Sequence, residues 1–409
     1  MCVLSGIFIH IYKNNIAKKY DFGQKSVSLL ELLCKTNWDY AEPGILFWDN
    51  INNYHLQSEV EEFSYAGTNP CAEEPLPASG SCLLGSLNLS AFVCDNGMFN
   101  TTEFSRCVEL AVKALNKVQE EGMYKHPLKS QIDCAHDWKQ IGMGVMGIAD
   151  MLIKMEITYG SQEAMEICDN IGRIMARIAI KTSADIAKFN GAYPKWNQKV
   201  CDSKFYKYHI SRNEDIDKTV ITYGMANSQL LTIAPTGSLS TMLGISGGIE
   251  PIFANSYTRT TKTLHNEDVV YKVYTPIVDF YMKQHNLSDE SELPPYFVTS
   301  ATIPVKDRIA MQSIWQKHID ASISSTVNLP NSATVEEVEQ LYIEAWKNGL
   351  KGMTIFRDGC ARMGVLTLDD KKEEKQENKQ KQLENLLPQM NNNLNTDPIC
   401  NYKLFKYLK

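Results

Sequence analysis

The last third of the chain alternates helix patterns with short apolar strands, and this alternation restricts the fold more than any other feature. One helix–strand unit covers roughly residues 306–329, and another covers 335–357, where TVEEVEQLYIEAWKNGL precedes KGMTIF. Apolar residues at helical spacing predict helices, and short apolar runs between turn residues predict buried strands. The alternation predicts an α/β architecture.

Upstream segments extend this pattern. Helical spacing is shared by four further segments, which cover residues 25–37, 102–122, 141–156 and 161–190. Apolar runs typical of strands occur at 3–11 (a buried strand or a ragged start), 44–48 and 230–234. Thr101 or Thr102 is the expected cap of the second helix, and Asn190-Gly191 the end of the last. The glycines of 141–156 indicate close backbone packing, and a cofactor-binding segment is the alternative.

Charge and hydropathy exclude two classes of partner. The 409 residues include 41 Lys and Arg against 48 Asp and Glu, which gives a net charge of -7. This mild acidity provides no general attraction to nucleic acid or anionic lipid. The sequence also lacks a run of about 18 apolar residues, the length that a membrane helix needs. We therefore expect no nucleic-acid partner and no membrane span.

The cysteines and histidines favour a reducing compartment. The 11 cysteines are odd in number, and no two have the CxxC spacing. This argues against a zinc ribbon and against a secreted disulfide scaffold. The histidines show neither HxxxH nor HExxH spacing, so no metal site is predicted. A cytoplasmic location is expected, with most cysteines acting as small buried apolar residues.

A loop rich in Pro and Gly at 64–90 holds the first candidate site, Asn69-Pro70-Cys71-Ala72-Glu73. Long loops inside compact domains are usually functional. If the loop is extended, alternation places residues 69, 71 and 73 on one side. The amide would then orient a substrate hydroxyl, the carboxylate would take its proton, and the thiol would be a nucleophile or hydrogen-atom donor. A turn around a buried cysteine is the alternative.

Cys82 lies 11 residues after Cys71 in the same loop, within GSCLLGS. If the loop folds back, both sulfurs could belong to one site. The spacing alone is weak, because 11 cysteines produce such intervals by chance.

The run APTGSLST at 234–241 follows a predicted strand. If a helix begins here, its N-terminal N–H groups favour a phosphate. The run is not a P-loop, since it lacks the lysine and the GxxxxGK[ST] spacing. A plain helix cap at Ser238 or Ser240 is the alternative. The glycines of GISGGIEP at 244–251 indicate a tight turn with close backbone approach.

Five segments in this order resemble the ribonucleotide reductase catalytic subunit. They are YAGTNPCAEEPLPASGSCLLGSLNLS (65–90), IGMGVMGIADML (141–152), LLTIAPTGSLSTMLGISGGIEPIFANSY (230–257), HIDASISSTVNLP (318–330) and GLKGMTIFRDG (349–359). The resemblance covers about 25–368 and implies a ten-stranded α/β barrel with a central finger loop. It divides the chain into an unmatched segment 1–24, the barrel 25–368, and a charged, disordered tail 369–409.

The resemblance also implies the chemistry. Cys71 would carry a transient thiyl radical that abstracts the 3′-hydrogen of the ribose, Glu73 would take the 3′-OH proton, and Asn69 would hold the hydroxyls. Cys82 would supply reducing equivalents and finish in a disulfide. The substrate-binding positions implied by the matching motifs are Asn69, Pro70, Cys71, Ala72, Glu73, Pro235, Thr236, Gly237, Ser238 and Leu239. The activity would be that of a ribonucleoside-diphosphate reductase, which makes 2′-deoxyribonucleotides for DNA synthesis.

The chain departs from the family pattern at both ends. Upstream of the helix at 25–37, members of the family have a long region. This region includes the first barrel strands and the partner of Cys82. The chain is thus expected to be a carboxy-terminal part, with open strand edges near 44–48 and 352–356 and a need for a second chain. The tail has one cysteine, Cys400, where the family has a pair, so an external dithiol such as thioredoxin is expected, together with homo-oligomers.

The radical source is inferred from two residues of one predicted strand and from the sequence of the NPCAEEPLP motif. Family members with a separate di-metal subunit use adjacent tyrosines where this sequence has Ile355 and Phe356, and neither side chain has a phenolic O–H. The NPCAEEPLP wording also resembles the adenosylcobalamin-dependent class, so adenosylcobalamin is the expected cofactor, which would supply the radical to Cys71. A di-metal catalytic subunit, an inactive half-subunit, a glycyl-radical reductase and a plain nucleotide-binding module are the alternatives. Either ribonucleoside di- or triphosphates fit as substrates.

Overall fold

The fold is that of a computed structural model, which describes residues 9–11, 19–21, 26–211, 213–262 and 268–361, with side chains from residue 29 onward except at 258–271. The strands are β1 (Ile9–Ile11), β2 (Lys19–Asp21), β3 (Ser26–Ser28), β4 (Ile45–Phe47), β5 (Gly67–Thr68), β6 (Pro75–Leu76), β7 (Leu83–Asn88), β8 (Ile141–Met146), β9 (Ser256–Lys262), β10 (Asp268–Tyr274), β11 (Thr326–Leu329) and β12 (Gly352–Arg357). The helices are α1 (Leu29–Tyr40), α2 (Trp48–Asn53), α3 (Thr101–Gly122), α4 (Lys129–Trp138), α5 (Ile148–Lys154), α6 (Gln162–Asn190), α7 (Lys204–Ile210), α8 (Glu214–Tyr223), α9 (Gly237–Leu243), α10 (Pro276–His285), α11 (Val305–Gln316) and α12 (Val335–Lys347).

One sheet has the strand order β1–β4–β12–β11. β1 runs parallel to β4 and β11 parallel to β12, whereas β12 and β4 are antiparallel. Both β4 and β12 therefore have a hydrogen-bonded neighbour on each side, and the expectation of open edges at these two strands is wrong. The physical reason is that β1, from the segment expected to be unmatched, covers the free side of β4. This also confirms a strand within 3–11.

The two faces of this sheet pack against different parts of the chain. Ile45 and Phe47 point into a core with α1 and α12, together with Met353 and Ile355 of β12. Leu46, between them, packs on the opposite face with Trp48, Ile51 and Ala72. Side chains alternate along a strand, so α1 and α12 cover one face, and α2 packs against the other together with the 64–90 loop.

A second parallel pair joins β7 to β8, with Leu84 opposite Gly142. Single parallel bridges continue it, from Met143 to Leu231 and from Ile233 to Ile323. The sequence-based helix over 141–156 is therefore wrong in its first half: residues 141–146 form a strand, and the helix α5 begins at Ile148. All six residues of β8 are buried, and periodicity cannot separate a fully buried strand from a buried helix.

The long helices follow the prediction closely. α3 and α6 match 102–122 and 161–190 and pack against each other, and α3 also contacts β7 and β8. The cap of α3 is Asn100, whose side chain accepts the Glu103 N–H, and not Thr101 or Thr102. The helix–strand units near the carboxyl end are confirmed as α11–β11 and α12–β12.

The chain divides into two units. The larger unit comprises 1–255 and 275–363, and the smaller comprises 256–274 and 364–409. In the smaller unit the structure describes one antiparallel hairpin, β9–β10, with Ser256 opposite Tyr274. The predicted charged tail at 369–409 lies outside the described residues. None of the helices in the described ranges is both long and apolar enough to cross a membrane.

Candidate active site at a hairpin tip

The NPCAE motif lies at the tip of a short hairpin. β5 and β6 pair antiparallel, with Thr68 opposite Pro75, which leaves residues 69–74 as the tip. Asn69 closes the tip through three bonds: its N–H donates to the Glu74 carbonyl (3.2 Å), its carbonyl accepts the Ala72 N–H (3.1 Å), and its Oδ1 accepts the Glu74 N–H (3.1 Å). The motif is thus held as a compact turn.

The tip is not extended, so the predicted alternation of residues 69, 71 and 73 is wrong. Ala72 has a φ of 68°, in the left-handed region, which ends any regular alternation. Pro70 is exposed, Asn69 and Cys71 are half-buried, and Ala72 and Glu73 are buried. The turn nevertheless leaves the Cys71 thiol partly accessible beside a buried carboxyl.

Hydrogen bonds fix the tip against a second strand layer, which consists of β7, β8 and the bridged segments at 231–233 and Ile323. The Glu73 carbonyl accepts a hydrogen bond from the Thr232 hydroxyl (2.7 Å) and another from the Ser322 N–H (3.0 Å). On the other side, Ala72 packs against Leu46 and Trp48. The tip is therefore tied to both strand layers of the larger unit.

Glu73 is a buried carboxyl in a poorly solvated position. Its side chain is almost fully covered, and Oε2 has no hydrogen-bond partner within the described part of the chain. Burial raises the pKa of Glu73, and a hydrogen bond with the Asn69 side chain opposes the rise. A carboxylate with a raised pKa and an oxygen that accepts no hydrogen bond from the described residues is suited to accept a proton.

Glu74 is a second buried carboxyl, which the sequence analysis did not single out. Its Oε2 accepts a hydrogen bond from Gln229 Nε2 (2.7 Å), and Gln229 Oε1 in turn accepts one from Gln140 Nε2 (3.1 Å). Burial raises the pKa of Glu74 to about 8, and the charge of Glu73 adds to the rise. The acidic doublet before Pro75 is the sequence signal that could have identified it.

Cys82 directly precedes β7 and lies beside Glu74. Its Sγ–H points to the Leu83 carbonyl, with an S···O distance of 3.7 Å. Burial raises the pKa of the Cys82 thiol well above its ordinary value, and the neighbouring Glu74 carboxylate raises it further, followed by Asp320 and Glu73. The structure thus brings Cys82 into the electrostatic surroundings of the hairpin tip.

The segment 229–234 links this tip to the predicted phosphate turn. The Asp320 carboxylate accepts the N–H groups of Leu230 (2.9 Å) and Leu231 (2.7 Å), and Lys351 Nζ donates to the Asp320 carbonyl (2.7 Å). Both side chains are buried, which raises the pKa of Asp320 and lowers that of Lys351. Sequence patterns do not indicate these contacts of Asp320, because its partners Leu230, Leu231 and Lys351 are far from it in the chain.

The turn at 235–239 leads into a helix, as predicted. α9 begins at Gly237, so its first turn presents backbone N–H groups without helical partners. The residue before the helix is Thr236, with a φ of 50° and a buried side chain whose Oγ1 accepts the Gly248 N–H (2.9 Å). The alternative of a helix cap at Ser238 or Ser240 is therefore wrong, because the cap position is Thr236. Pro235, Gly237, Ser238 and Leu239 are exposed.

The glycine-rich run at 244–251 packs directly beneath this turn. A Cβ added to Gly247 would lie 2.6 Å from the Pro235 carbonyl oxygen, and one added to Gly248 would lie 2.9 Å from the Ala234 carbonyl oxygen. The predicted close backbone approach is confirmed. These glycines set the position of the turn.

The strand expected to carry a radical relay is β12. Ile355 is fully buried in the helix-facing core, and Phe356 is half-buried opposite Asn328. Over the residues that the structure describes, no group of three or more His, Cys, Asp and Glu side chains is placed to hold a metal ion.

Comparisons with known proteins show the family of the chain. The family described as "Ribonucleotide reductase, barrel domain" matches residues 7–356. A vitamin B12-dependent ribonucleoside-diphosphate reductase of Thermoplasma acidophilum is 30% identical over 370 residues, which are 87% of this chain and 45% of that protein. One of the same name from Mycobacterium tuberculosis is 30% identical over 364 residues, with coverage of 84% and 48%. The chain spans about half the length of these relatives.

A solved structure shows the same fold. The class Id ribonucleotide reductase alpha subunit of Actinobacillus ureae superposes with a TM-score of 0.63 at 21% identity, over 81% of this chain and 61% of that one. With a family match over most of the chain and an α/β fold shared with a solved reductase, the chain belongs to the ribonucleotide reductase family and contains its barrel domain.

Proposed function

We propose that this chain carries the catalytic site of a ribonucleoside-diphosphate reductase, which converts ribonucleotides to 2′-deoxyribonucleotides for DNA synthesis. The observation that carries the proposal is the hairpin tip, where a half-buried Cys71 lies two residues from the buried carboxyl of Glu73. We further propose that the two strand layers are parts of a ten-stranded barrel around this tip. The names of the B12-dependent relatives support the proposed activity.

Three residues of the tip would act on the ribose. A thiyl radical on Cys71 would remove the 3′-hydrogen, and Glu73 would accept the 3′-OH proton. The raised pKa of Glu73 supports the role of proton acceptor, and so does its Oε2, which accepts no hydrogen bond from the described residues. Asn69 Oδ1 accepts the Glu74 N–H, and one N–H of Asn69 Nδ2 donates to the Glu73 carboxyl. The second N–H of Nδ2 is the side-chain group suited to donate to a substrate hydroxyl.

Cys82 would serve in the reductive half of the reaction. Loss of the 2′-OH as water consumes two electrons, which two thiols supply as they join in a disulfide. Cys82 would be one of these thiols, and an external dithiol of the thioredoxin kind would restore it by thiol–disulfide exchange. Its position beside Glu74 near the tip supports this role.

The turn at 235–239 would hold the nucleotide's phosphates. Gly237, Ser238 and Leu239 are exposed and open the helix α9, whose first N–H groups are suited to an anion. The turn contains no lysine, so backbone donors would carry the interaction. Di- and triphosphates both fit this description.

Adenosylcobalamin is the proposed cofactor, since the relatives are named vitamin B12-dependent. When bound, it supplies the initial radical. The residues of this chain fit a source that acts on Cys71 directly: the thiol is half-buried, and Ile355 and Phe356 offer no phenolic relay. Cys71 is the residue that would receive the radical. We also propose a cytoplasmic location, homo-oligomers, and a second chain that supplies further family segments.

A product assay tests the proposed function. The protein is incubated with ribonucleoside di- or triphosphates, adenosylcobalamin and a dithiol, with and without any companion chain, and 2′-deoxyribonucleotides are measured by mass spectrometry. Formation of deoxyribonucleotides that depends on the cofactor is expected. Nucleotide binding without product under every condition would instead indicate a plain nucleotide-binding module.

A further inference from the structure

Glu74 has no part in the chemistry proposed above, yet it is only 3% exposed. Gln229 holds its Oε2, while Oε1 accepts no N–H or O–H hydrogen bond from the described residues. Oε1 lies against Gly142, where an added Cβ would come within 2.6 Å of it. Because glycine has no side chain, position 142 leaves room for the carboxyl group of Glu74.

The pairing of β7 with β8 brings Cys82 close to the carboxyl group of Glu74. Gly142 of β8 lies opposite Leu84 of β7, and Cys82 stands two residues before Leu84. A Cβ at Gly142 would meet both Glu74 Oε1 (2.6 Å) and Leu84 Cδ2 (2.8 Å). The buried carboxyl group and the half-buried thiol thus come close together at the start of β7. Electrostatic coupling between the two groups supports this, since each changes the pKa of the other.

On the basis of the proposed function, we propose that Glu74 is the proton donor to Cys82 when the Cys82 disulfide is reduced. An external dithiol attacks one sulfur of that disulfide, and a mixed disulfide forms. Whichever sulfur is attacked first, Cys82 finally leaves as a thiolate, takes the proton of the Glu74 carboxyl group, and becomes a thiol. The external dithiol gives up two electrons and becomes a disulfide, and solvent reprotonates Glu74.

The surroundings explain why a donor is needed. Cys82 is half-buried, and a thiolate there would lie beside the carboxyl groups of Glu74, Asp320 and Glu73. Burial and these neighbouring charges raise the pKa of the thiol. With a pKa of about 8, Glu74 still holds its proton near neutral pH. A proton donor works best when its pKa is close to the working pH.

Two rates measured on the whole chain test the proposal without turnover. The first is alkylation of Cys82 by iodoacetamide between pH 6 and 10, followed by peptide mass spectrometry. The second is the release of Cys82 by dithiothreitol from a mixed disulfide with 2-mercaptoethanol. Glu74→Gln is compared with Glu59→Gln, an exposed control, and the exposed Cys94 serves as the internal reference in each sample.

Glu74→Gln is expected to speed alkylation of Cys82 at pH 9 about tenfold, because a neighbouring charge is removed. The same variant is expected to slow disulfide release at pH 7 by about tenfold or more, because the proton donor is lost. These changes have opposite signs, whereas loosened packing would speed both reactions. Cys94 and Glu59→Gln should show no change.

An unchanged alkylation profile, or two rates that change in the same direction, would overturn the proposal. If Glu74→Gln does not fold, Glu74→Asp replaces it: the shorter side chain withdraws the carboxyl from Cys82 and should produce the same opposite changes, more weakly. Absence of deoxyribonucleotide formation by the unaltered protein would contradict the proposed function only, because neither rate depends on turnover.

Discussion

The hairpin tip at 69–74 and the turn at 235–239 have opposite environments. At the tip, Glu73 and Glu74 are buried, their pKa values are raised, and Asn69 forms hydrogen bonds with the backbone of Ala72 and Glu74. At the turn, Gly237 and Ser238 are exposed and the available donors belong to the backbone. Neither environment would suit the other's proposed task.

The difference fits the proposed division between proton transfer at the tip and anion binding at the turn. Moving a proton near neutral pH requires a carboxyl whose charged form is disfavoured, which burial provides. Holding a phosphate requires open N–H groups that an anion can reach. One segment connects the two environments, since Thr232 bonds to the Glu73 carbonyl and the chain reaches α9 five residues later.

The largest effect is expected for Cys71→Ser at the tip. An O–H bond is too strong for serine to carry the radical, so formation of deoxyribonucleotides should fall to background, while the fold and nucleotide binding at the turn persist. Product formation and nucleotide affinity are measured side by side, with Cys94→Ser, at an exposed position, as the matched control. Turnover by the Cys71→Ser variant would contradict the assignment of the radical to Cys71.

Glu73→Gln should reduce kcat by roughly 10²–10⁴-fold, because a positioned proton acceptor is lost. Since burial raises the pKa of Glu73 above its ordinary value of 4.5, the unaltered enzyme should lose activity as the pH falls through that raised pKa. The acidic limb of the kcat–pH profile should disappear in the variant. A variant that keeps this limb would assign it to another group, and exposed Glu59→Gln should match the unaltered profile.

Glu74→Gln tests the burial of the tip through stability. A carboxyl group whose pKa is raised by folding, here to about 8, favours the folded state at low pH and loses this contribution as the pH rises. Between pH 6 and 9 the variant should therefore gain roughly 2 kcal/mol of unfolding free energy relative to the unaltered chain. Urea titrations at pH 6 and pH 9 measure the unfolding free energies of the variant and of the unaltered chain. If the difference between the two proteins is the same at both pH values, Glu74 is not the titrating group.

Ser238→Asp tests the turn and should have the smallest effect. An added negative charge at the first turn of α9 repels a phosphate, so nucleotide affinity should fall about tenfold, or about 1.4 kcal/mol. The tip is untouched, so kcat at saturation should stay the same. Ser211→Asp, at an exposed position after α7, is the control, and isothermal titration gives both affinities. Equal affinities for the two variants would place the phosphates elsewhere.

The sequence predicted the elements well where periodicity was long. α3, α6 and α12 have strong patterns, and their predicted bounds agree with the structure within a few residues. The helix–strand unit predicted over roughly 306–329 corresponds to α11 and β11. β8 was mistaken for a helix because six consecutive buried residues have no periodicity to read. The pairing of β1 with β4 could not be seen, since strand partners depend on contacts far apart in sequence.

The sequence proposes residues for the candidate site but does not give their geometry. Cys71, Glu73 and Cys82 came from the motifs, whereas the left-handed turn at Ala72 is not visible in an alanine. Glu74 and Gln229 escaped notice because neither belongs to the expected alternation. Their hydrogen bond joins positions 155 residues apart, and only the folded chain brings them together.

The most direct test of the radical assignment is freeze-quench electron paramagnetic resonance of the enzyme with nucleotide and adenosylcobalamin. A sulfur-centred radical on Cys71 should show splitting from its Cβ protons, and this splitting should collapse in protein grown with Cβ-deuterated cysteine. The signal should be absent from Cys71→Ser and unchanged in Cys94→Ser. A signal that persists in Cys71→Ser, or that does not respond to the deuterium, would contradict a thiyl radical at the hairpin tip.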